Sequence, residues 1–219
     1  MPQIPKISVT TFFGKRYLSR LRAIARTLQG SHINMLSVLL RALFLNLKVE
    51  IYCFRIDKGL FPLLDGQSEF LIRKGTLEDL TNLHQNRPCL PWEFSCHKID
   101  NVRDFFISSS DSELQHISWI YYKGDPNRII RLREDEAEIK YCLTFDTFRG
   151  QGIYPSVLQS ICQYLATSGY NRIFIAVDAR NLPSIRGIQK AGFERTEAIR
   201  LVKVFGLQIS KKYSSGGFD

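Results

Sequence analysis

The chain has 219 residues, 44% hydrophobic and 23% charged, which suits one full α/β domain plus an appendage and excludes a largely disordered or multi-spanning protein. Its formal net charge of +9 is partly local, because Lys15, Arg16, Arg20, Arg22 and Arg26 follow one another without an intervening acid. No basic stretch carries the aromatic spacing of a single-strand binder, and no zinc-finger or basic-zipper pattern appears, so nucleic acid is not an expected partner.

The first segment, to about Leu64, reads as two helices followed by a strand-like stretch. From Ile33 to Lys48 the polar residues Asn34, Ser37, Arg41 and Lys48 form a narrow stripe on an otherwise apolar helix, and only Asn46 falls off it. Arg41 near its centre disfavours a membrane span. The wide apolar surface predicts a packing face, for a homodimer or between domains, or a helix lying in the membrane interface with the Arg-rich turn against anionic headgroups. Nothing resembles a cleavable leader, so a cytoplasmic protein is expected, with peripheral contact to the inner membrane face as the variant. Cys53, Cys89, Cys96, Cys142 and Cys162 form an odd set without a Cys-x-x-Cys pair, which fits a reducing compartment. His32, His84, His97 and His116 are scattered, so no metal site is expected.

Pro62, Gly66, Gln67 and Ser68 predict a boundary, giving a helical N-terminal segment over 1–66, a second unit over 67–213 and a flexible tail over 214–219. The second unit reads as a strand at Glu69 to Lys74, a helix opening at Thr76 with Asp79 completing a capping box, and an irregular helical stretch from Trp92 to Lys98. Val102 to Ser108 and Leu114 to Tyr122 form a hairpin around Ser109 to Ser112, and Glu136 to Phe145 is the next strand. A helix runs from Gly152 to about Ser168 and stops at Gly169. The apolar run Arg172 to Asp178 predicts a buried strand, a helix follows from Pro183 to Ala191, and Glu197 to Val204 closes the sheet.

The chemistry concentrates at Arg149 to Tyr154, RGQGIY, where a strand passes through two glycines into a helix. Free backbone N–H groups and the positive helix end converge there on one point, which suits a phosphate. Gly150 and Gly152 allow close approach, Arg149 adds a positive charge, and Pro155 is tolerated in the first helical turn.

Three ordered blocks, AEIKYCLT at Ala137 to Thr144, RGQGIY, and NLPSIRGIQKAGF at Asn181 to Phe193, resemble the GNAT superfamily of acyl-CoA-dependent N-acyltransferases over about residues 68–206. The resemblance implies an α/β fold of the α+β type, with a mixed, mostly antiparallel central sheet and helices on both faces, preceded by the helical segment. It implies that the backbone N–H groups of Gly150, Gln151, Gly152, Ile153 and Tyr154 hold the pyrophosphate of acetyl-CoA or another acyl-CoA. Leu143 and Thr144 would face the pantetheine arm, Asn181 would sit beside it, and Ser184 matches the small residue three positions on. Glu138 would be the general base that deprotonates the attacking amine. An alternating strand puts it on one face with Lys140, Cys142 and Thr144, opposite Ile139, Tyr141 and Leu143.

Two positions depart from the family pattern. Tyr154 replaces a small residue, and Ile188 stands where many members carry a tyrosine that protonates the leaving thiolate. Tyr141, Cys142 and Ser184 are substitutes by chemical type. The acceptor is expected to be a small-molecule amine, such as an amino sugar or an amino-acid-like metabolite, bordered by the Trp92 to Lys98 segment, the loop from Lys123 to Asp135 and the last strands. Trp92, Glu93, Trp119, Tyr121 and Tyr122 are candidate contacts, and His116 reads as structural. Competing functions are a membrane-associated long-chain acyltransferase and a non-catalytic acyl-CoA-binding scaffold.

Overall fold

The computed structural model describes residues 44–56, 70–87, 90–110, 113–126, 130–204 and 207–214. Eight strands form one sheet: β1 (Phe44–Arg55), β2 (Leu71–Lys74), β3 (Phe105–Ser110), β4 (Glu113–Tyr121), β5 (Glu136–Thr144), β6 (Arg172–Asp178), β7 (Glu194–Val204) and β8 (Leu207–Ser214). Their spatial order is β2-β3-β4-β5-β6-β1-β7-β8. Every neighbouring pair is antiparallel except β5 and β6. The helices are α1 (Leu77–Asn86), the helical turn α2 (Cys96–Ile99) entered through a 3-10 turn at Trp92–Ser95, α3 (Ile153–Thr167) and α4 (Leu182–Lys190).

The strand-like stretch expected after the apolar helix is present as part of β1, but the end of that helix is not helical. Phe44 to Lys48, assigned to the end of the apolar helix, belong to β1, and residues 33–43 lie outside the described residues. From Leu45 to Ile51 apolar residues alternate with Asn46, Lys48 and Glu50, a two-residue period that outweighs the helical stripe. Asn46, off the stripe of a helix, is in phase with this strand. β1 pairs with β6 on one side and β7 on the other, so the expected boundary at 66/67 does not divide the sheet. Val49, Ile51 and Cys53 are buried, and so are Tyr52 and Phe54 of the opposite phase, as an interior strand requires. Among the described residues no helix is long and apolar enough to cross a membrane. A further strand, β8, pairs with β7 where no element was expected.

The two sheet faces have separate cores. Ala137, Ile139, Ile173, Ile175 and Val177 pack against Val157, Leu158, Ile161 and Leu165 of α3 and against Ile185 and Ile188 of α4. On the other face Phe105, Ile107, Ile117, Trp119 and Tyr121 pack against Leu80 of α1 and against Phe94 and Cys96.

Helix α1 starts as its sequence predicts. The Thr76 hydroxyl accepts from Asp79 N–H, and Thr76 N–H donates to Asp79 Oδ2 at 2.7 Å, so two otherwise orphaned donors are satisfied reciprocally. Arg73 makes two further bonds to the same carboxylate, holding the Asp79 pKa down at about 2. Just before this cap, Gly75 N–H donates to Phe105 O at 2.8 Å, and a Cβ on Gly75 would lie 2.0 Å from Phe105 Cε2. Phe105 is fully buried and has nowhere to go. Gly75→Ala is therefore expected to cost about 1–3 kcal/mol, seen as a lower urea midpoint with an unchanged m-value.

Candidate active site

The only parallel pair in the described sheet is also the one that comes apart. Glu136 to Ile139 of β5 pair with Arg172 to Ile175 of β6, and the pairing stops there although both strands run on. The reason lies in β5. Tyr141 has φ of 51°, and the ladder to β4 goes from Trp119↔Lys140 to Ile117↔Leu143, so two residues, Tyr141 and Cys142, oppose Ser118. This is a β-bulge, which bends the strand and advances its alternation by one residue.

That phase change corrects the expected faces. Before the bulge, Glu138 sits opposite Tyr121 and Phe174, on the side away from α3 and α4. Lys140 shares that side, its Nζ lying 5.0 Å from the Tyr121 ring centroid and 5.1 Å from that of Tyr141. After the bulge, Tyr141, Leu143 and Phe145 pack on that same side, and Cys142 turns to the α3 side with Tyr154. Thr144 follows Cys142, its hydroxyl 2.7 Å from His116 Nδ1. Glu138 therefore does not share a face with Cys142 and Thr144.

Beyond β5, a 3-10 turn at Asp146–Phe148 leads to Arg149 and the two glycines. Gly150 and Gly152 have φ of 82° and 79°, where a side chain would be strained. Open space lies in front of both. Gly152 is the N-cap of α3 and no side chain caps it, so the first helical amides face the space beside the separating strands. Ile153 is buried in the core and offers only its backbone. Gln151 reaches back to Thr147 O, while Arg149 is exposed and bonds Thr144 O and Asp146. Across the gap, Asn181 caps α4 by accepting from Ser184 N–H at 3.3 Å, which is its local structural role. Leu143 and Thr144 lie on β5 beyond its last pair with β6, Arg149 to Tyr154 follow that strand, and Asn181 and Ser184 follow the end of β6. Glu138, fully buried, lies just before that last pair on the other face.

Tyr154 fills a space that sequence reasoning did not foresee. Its ring lies 5.6 Å from His116 and occupies the surface over Gly187, where a Cβ would sit 2.6 Å from Tyr154 Cδ1. Tyr154 and Cys142 both pack against the α3-side core. His116 Nε2 is 2.6 Å from Ser118 Oγ. Burial pushes the Cys142 thiol up to about 11 and the Tyr154 phenol well above its ordinary value, so both are held neutral. The complementary sizes at 154 and 187 were the available signal.

On the other face Trp92 stands edge-on to Tyr141 at 4.8 Å, and both are partly exposed. Glu93 is next to Trp92, its carboxyl pKa raised by burial. Trp119 is fully buried and donates to Glu93 O at 2.7 Å, and Tyr121 donates to Asp100 at 2.8 Å. Trp119 and Tyr121 are therefore core, leaving Trp92 and Glu93 at the rim. Among the described residues no group of three or more His, Cys, Asp or Glu side chains is placed to hold a metal.

With this geometry in place, the comparisons define the class. Residues 70–194 match the family model described as an acetyltransferase (GNAT) domain, and the chain belongs to that family. The sheet, with its one separating parallel pair, has the GNAT fold. A GNAT-family acetyltransferase from Colwellia psychrerythraea superposes with TM-score 0.51 at 14% identity, over 93% of this chain and 75% of that one. A fungal GCN5-related glucosamine N-acetyltransferase region of a GH3 β-N-acetylglucosaminidase superposes with TM-score 0.51 at 12% identity, over 76% of this chain and 22% of that one. A GNAT-family protein from Novosphingobium aromaticivorans matches at 18% identity and TM-score 0.48 over 71% of this chain, which spans 62% of that protein's length. The two superpositions at TM-score 0.51 establish likeness of fold. No curated protein sequence matches.

Burial pushes the His116 pKa down to about 3, whereas the unfolded chain takes up that proton near 6.5. The folded value is the lower one, so the stabilisation is complete above about pH 6.5 and is lost as pH falls toward 3, at up to about 1.4 kcal/mol per pH unit. The His97 pKa is pushed down to about 4 and acts in the same direction. Urea midpoints are therefore expected to fall between pH 7 and pH 5, and His116→Gln should flatten that slope without abolishing it.

Proposed function

We propose that the chain transfers an acetyl group, or another acyl group, from acyl-CoA to the primary amine of a small acceptor. The observation that carries this reading is the parting of β5 and β6 directly beside the uncapped N-terminus of α3. A pyrophosphate at the amides of Gly150 to Tyr154 would gain both hydrogen bonds and the positive helix end, with Arg149 on the rim. From there a pantetheine arm has room to enter past Leu143 and Thr144 on one side and Asn181 and Ser184 on the other. Backbone N–H groups of β5, released from the β6 ladder, would stabilise the oxyanion that forms when an amine attacks the thioester carbonyl.

Glu138 is assigned as the base. It stands on the face that carries Trp92 and Tyr141, three residues before the bulge residue, so an amine arriving there would meet the thioester from the side opposite the coenzyme. The carboxylate takes the ammonium proton directly or through one water. Trp92 and Glu93 at the rim suit a polar acceptor with an apolar face and a cationic group, such as an amino sugar or an amino-acid-like metabolite. The free thiols Cys53, Cys96, Cys142 and Cys162 are in keeping with a cytoplasmic protein.

The test is release of free thiol from acetyl-CoA with a panel of amino sugars and amino acids, alongside calorimetric titration with coenzyme A. Glu138→Gln is expected to lower kcat by about 10²-fold or more while the Kd for coenzyme A is retained. Unchanged turnover would remove Glu138 from the mechanism. Binding of coenzyme A without turnover of any amine would overturn the transferase reading.

A further inference from the structure

The face of β5 that carries Glu138 also carries a lysine. Lys140 lies two residues further along the strand, opposite Trp119 and on the side away from α3 and α4. It is the first residue of β5 beyond the last pair with β6, Ile139↔Ile175, so it stands at the closed end of the gap. Two rings place its partly exposed side chain: Nζ lies 5.0 Å from the Tyr121 ring centroid and 5.1 Å from that of Tyr141. An ammonium against two aromatic rings is held in position and partly desolvated, which strengthens its attraction for an anion. Positions two apart on one face of a strand are roughly 7 Å apart, so Glu138 and Lys140 offer a negative and a positive end to one small molecule. An α-amino acid, with a hydrogen bond of about 2.8 Å at each end, spans a similar distance.

Around that lysine the same face is apolar and aromatic. Trp92, Tyr141, Leu143 and Phe145 pack onto this core from its margin, and each is partly exposed. Trp92 stands edge-on to Tyr141 at 4.8 Å, and Phe145 stacks on the buried Phe94 at 5.4 Å. A wall of this composition favours an apolar or aromatic side chain over a ring of hydroxyls, which would lose water there without gaining hydrogen-bond partners. An acceptor that brings only positive charge, such as a polyamine or an amino sugar, would meet the Lys140 ammonium as a like charge. Glu93, next to Trp92 in the chain, disfavours a second carboxylate on the acceptor.

Resting on the acyl-transfer reading, we propose that the acceptor is an α-amino acid with an apolar or aromatic side chain, and that Lys140 selects it by pairing with its carboxylate. The α-ammonium then lies toward Glu138, and the side chain lies against Trp92, Tyr141, Leu143 and Phe145. The ammonium gives one proton to Glu138, directly or through one water. The nitrogen bonds to the thioester carbonyl carbon, and the carbon–sulfur bond breaks with its electron pair on sulfur. A second proton leaves nitrogen as the amide forms and ends on sulfur, while the proton held by Glu138 returns to solvent. The products are an N-acyl amino acid and the coenzyme A thiol. Acylation removes the positive charge that Glu138 attracts and leaves the carboxylate held by Lys140 alone, which favours release of the product.

The test compares free-thiol release from acetyl-CoA with L-phenylalanine and with phenethylamine, which has the same ring and amine but no carboxylate. The wild-type chain is expected to favour L-phenylalanine in kcat/KM by about 10-fold to 10²-fold, the range of one hydrogen bond to a charged group, with the difference mainly in KM. Lys140→Met keeps an apolar stem and removes the charge, and should shrink that preference to within about threefold, whereas Lys140→Arg should retain it. A preference that survives in Lys140→Met, or equal losses with both acceptors, means that Lys140 serves only the bulge and overturns the assignment. Should Lys140→Met fail to fold, the wild-type comparison decides. No preference for L-phenylalanine over phenethylamine, or a higher kcat/KM with glucosamine than with L-phenylalanine, overturns the proposal. A wild-type chain that turns over no amine at all sinks the acyl-transfer reading itself. The carboxylate site is then judged by calorimetry in the presence of coenzyme A, where L-phenylalanine that binds no more tightly than phenethylamine overturns it as well.

Discussion

Parallel strands stay joined only while their backbones remain within reach, and β5 leaves β6 at a left-handed residue. Tyr141 at φ 51° is in a region that costs a non-glycine residue roughly 1–3 kcal/mol. A glycine would avoid that cost but would also lose the ring that offsets it. Tyr141 is held edge-on by Trp92 at 4.8 Å and by Tyr121 at 5.7 Å, with the Lys140 ammonium over its face. Aromatic and cation–π contacts of about 0.5–1.5 kcal/mol each are together of the same size as the strain. The bulge is thus fixed by the aromatic packing of one face, and the opening between β5 and β6 follows from it.

The same bulge organises the other face. Because it advances the alternation, Cys142 and Thr144 point toward α3, where an unbroken strand would have pointed them to the face of Glu138 and Tyr121. His116 on β4 then meets Thr144, and Tyr154 on α3 reaches down to Cys142. Tyr154 fits only because α4 presents a glycine at 187, where even a methyl group would sit 2.6 Å from its ring. One large residue on α3 and one absent side chain on α4 therefore set the spacing of the two helix N-termini that flank the opening.

The elements that sequence reasoning found are those whose signals are local. The Thr76 and Asp79 capping box, the apolar run of β6 and the glycine entry to α3 each depend on residues within a few positions, and each appears as read. What it missed, from the start of β1 to the bulge, depends on partners distant in sequence. β1 carries both a helical stripe and a two-residue alternation, and only its position between β6 and β7 decides between them. β8 is a strand because β7 offers it an edge. The bulge at Tyr141 has no local mark, since tyrosine is a poor choice for a left-handed position. Glu138 was legible as a residue, whereas its face relative to Cys142 was not, because a single inserted residue reverses every side chain after it.

This reversal has a chemical consequence. Thioester aminolysis must remove a proton from nitrogen and supply one to sulfur, and a single site that did both would require one group to be base and acid at nearly the same moment. In a flat strand Glu138, Cys142 and Thr144 would crowd one side of the sheet, with the carboxylate raising the cost of any nearby thiolate. The bulge puts them on opposite sides with the β5 backbone between them. Under the proposed function the amine and its base occupy the face of Trp92, the coenzyme and Tyr154 occupy the face of α3 and α4, and the carbonyl carbon lies in the gap. A carboxylate acting as base and a desolvated thiol and phenol held neutral need different surroundings. One strand can border both because its backbone changes phase at Tyr141.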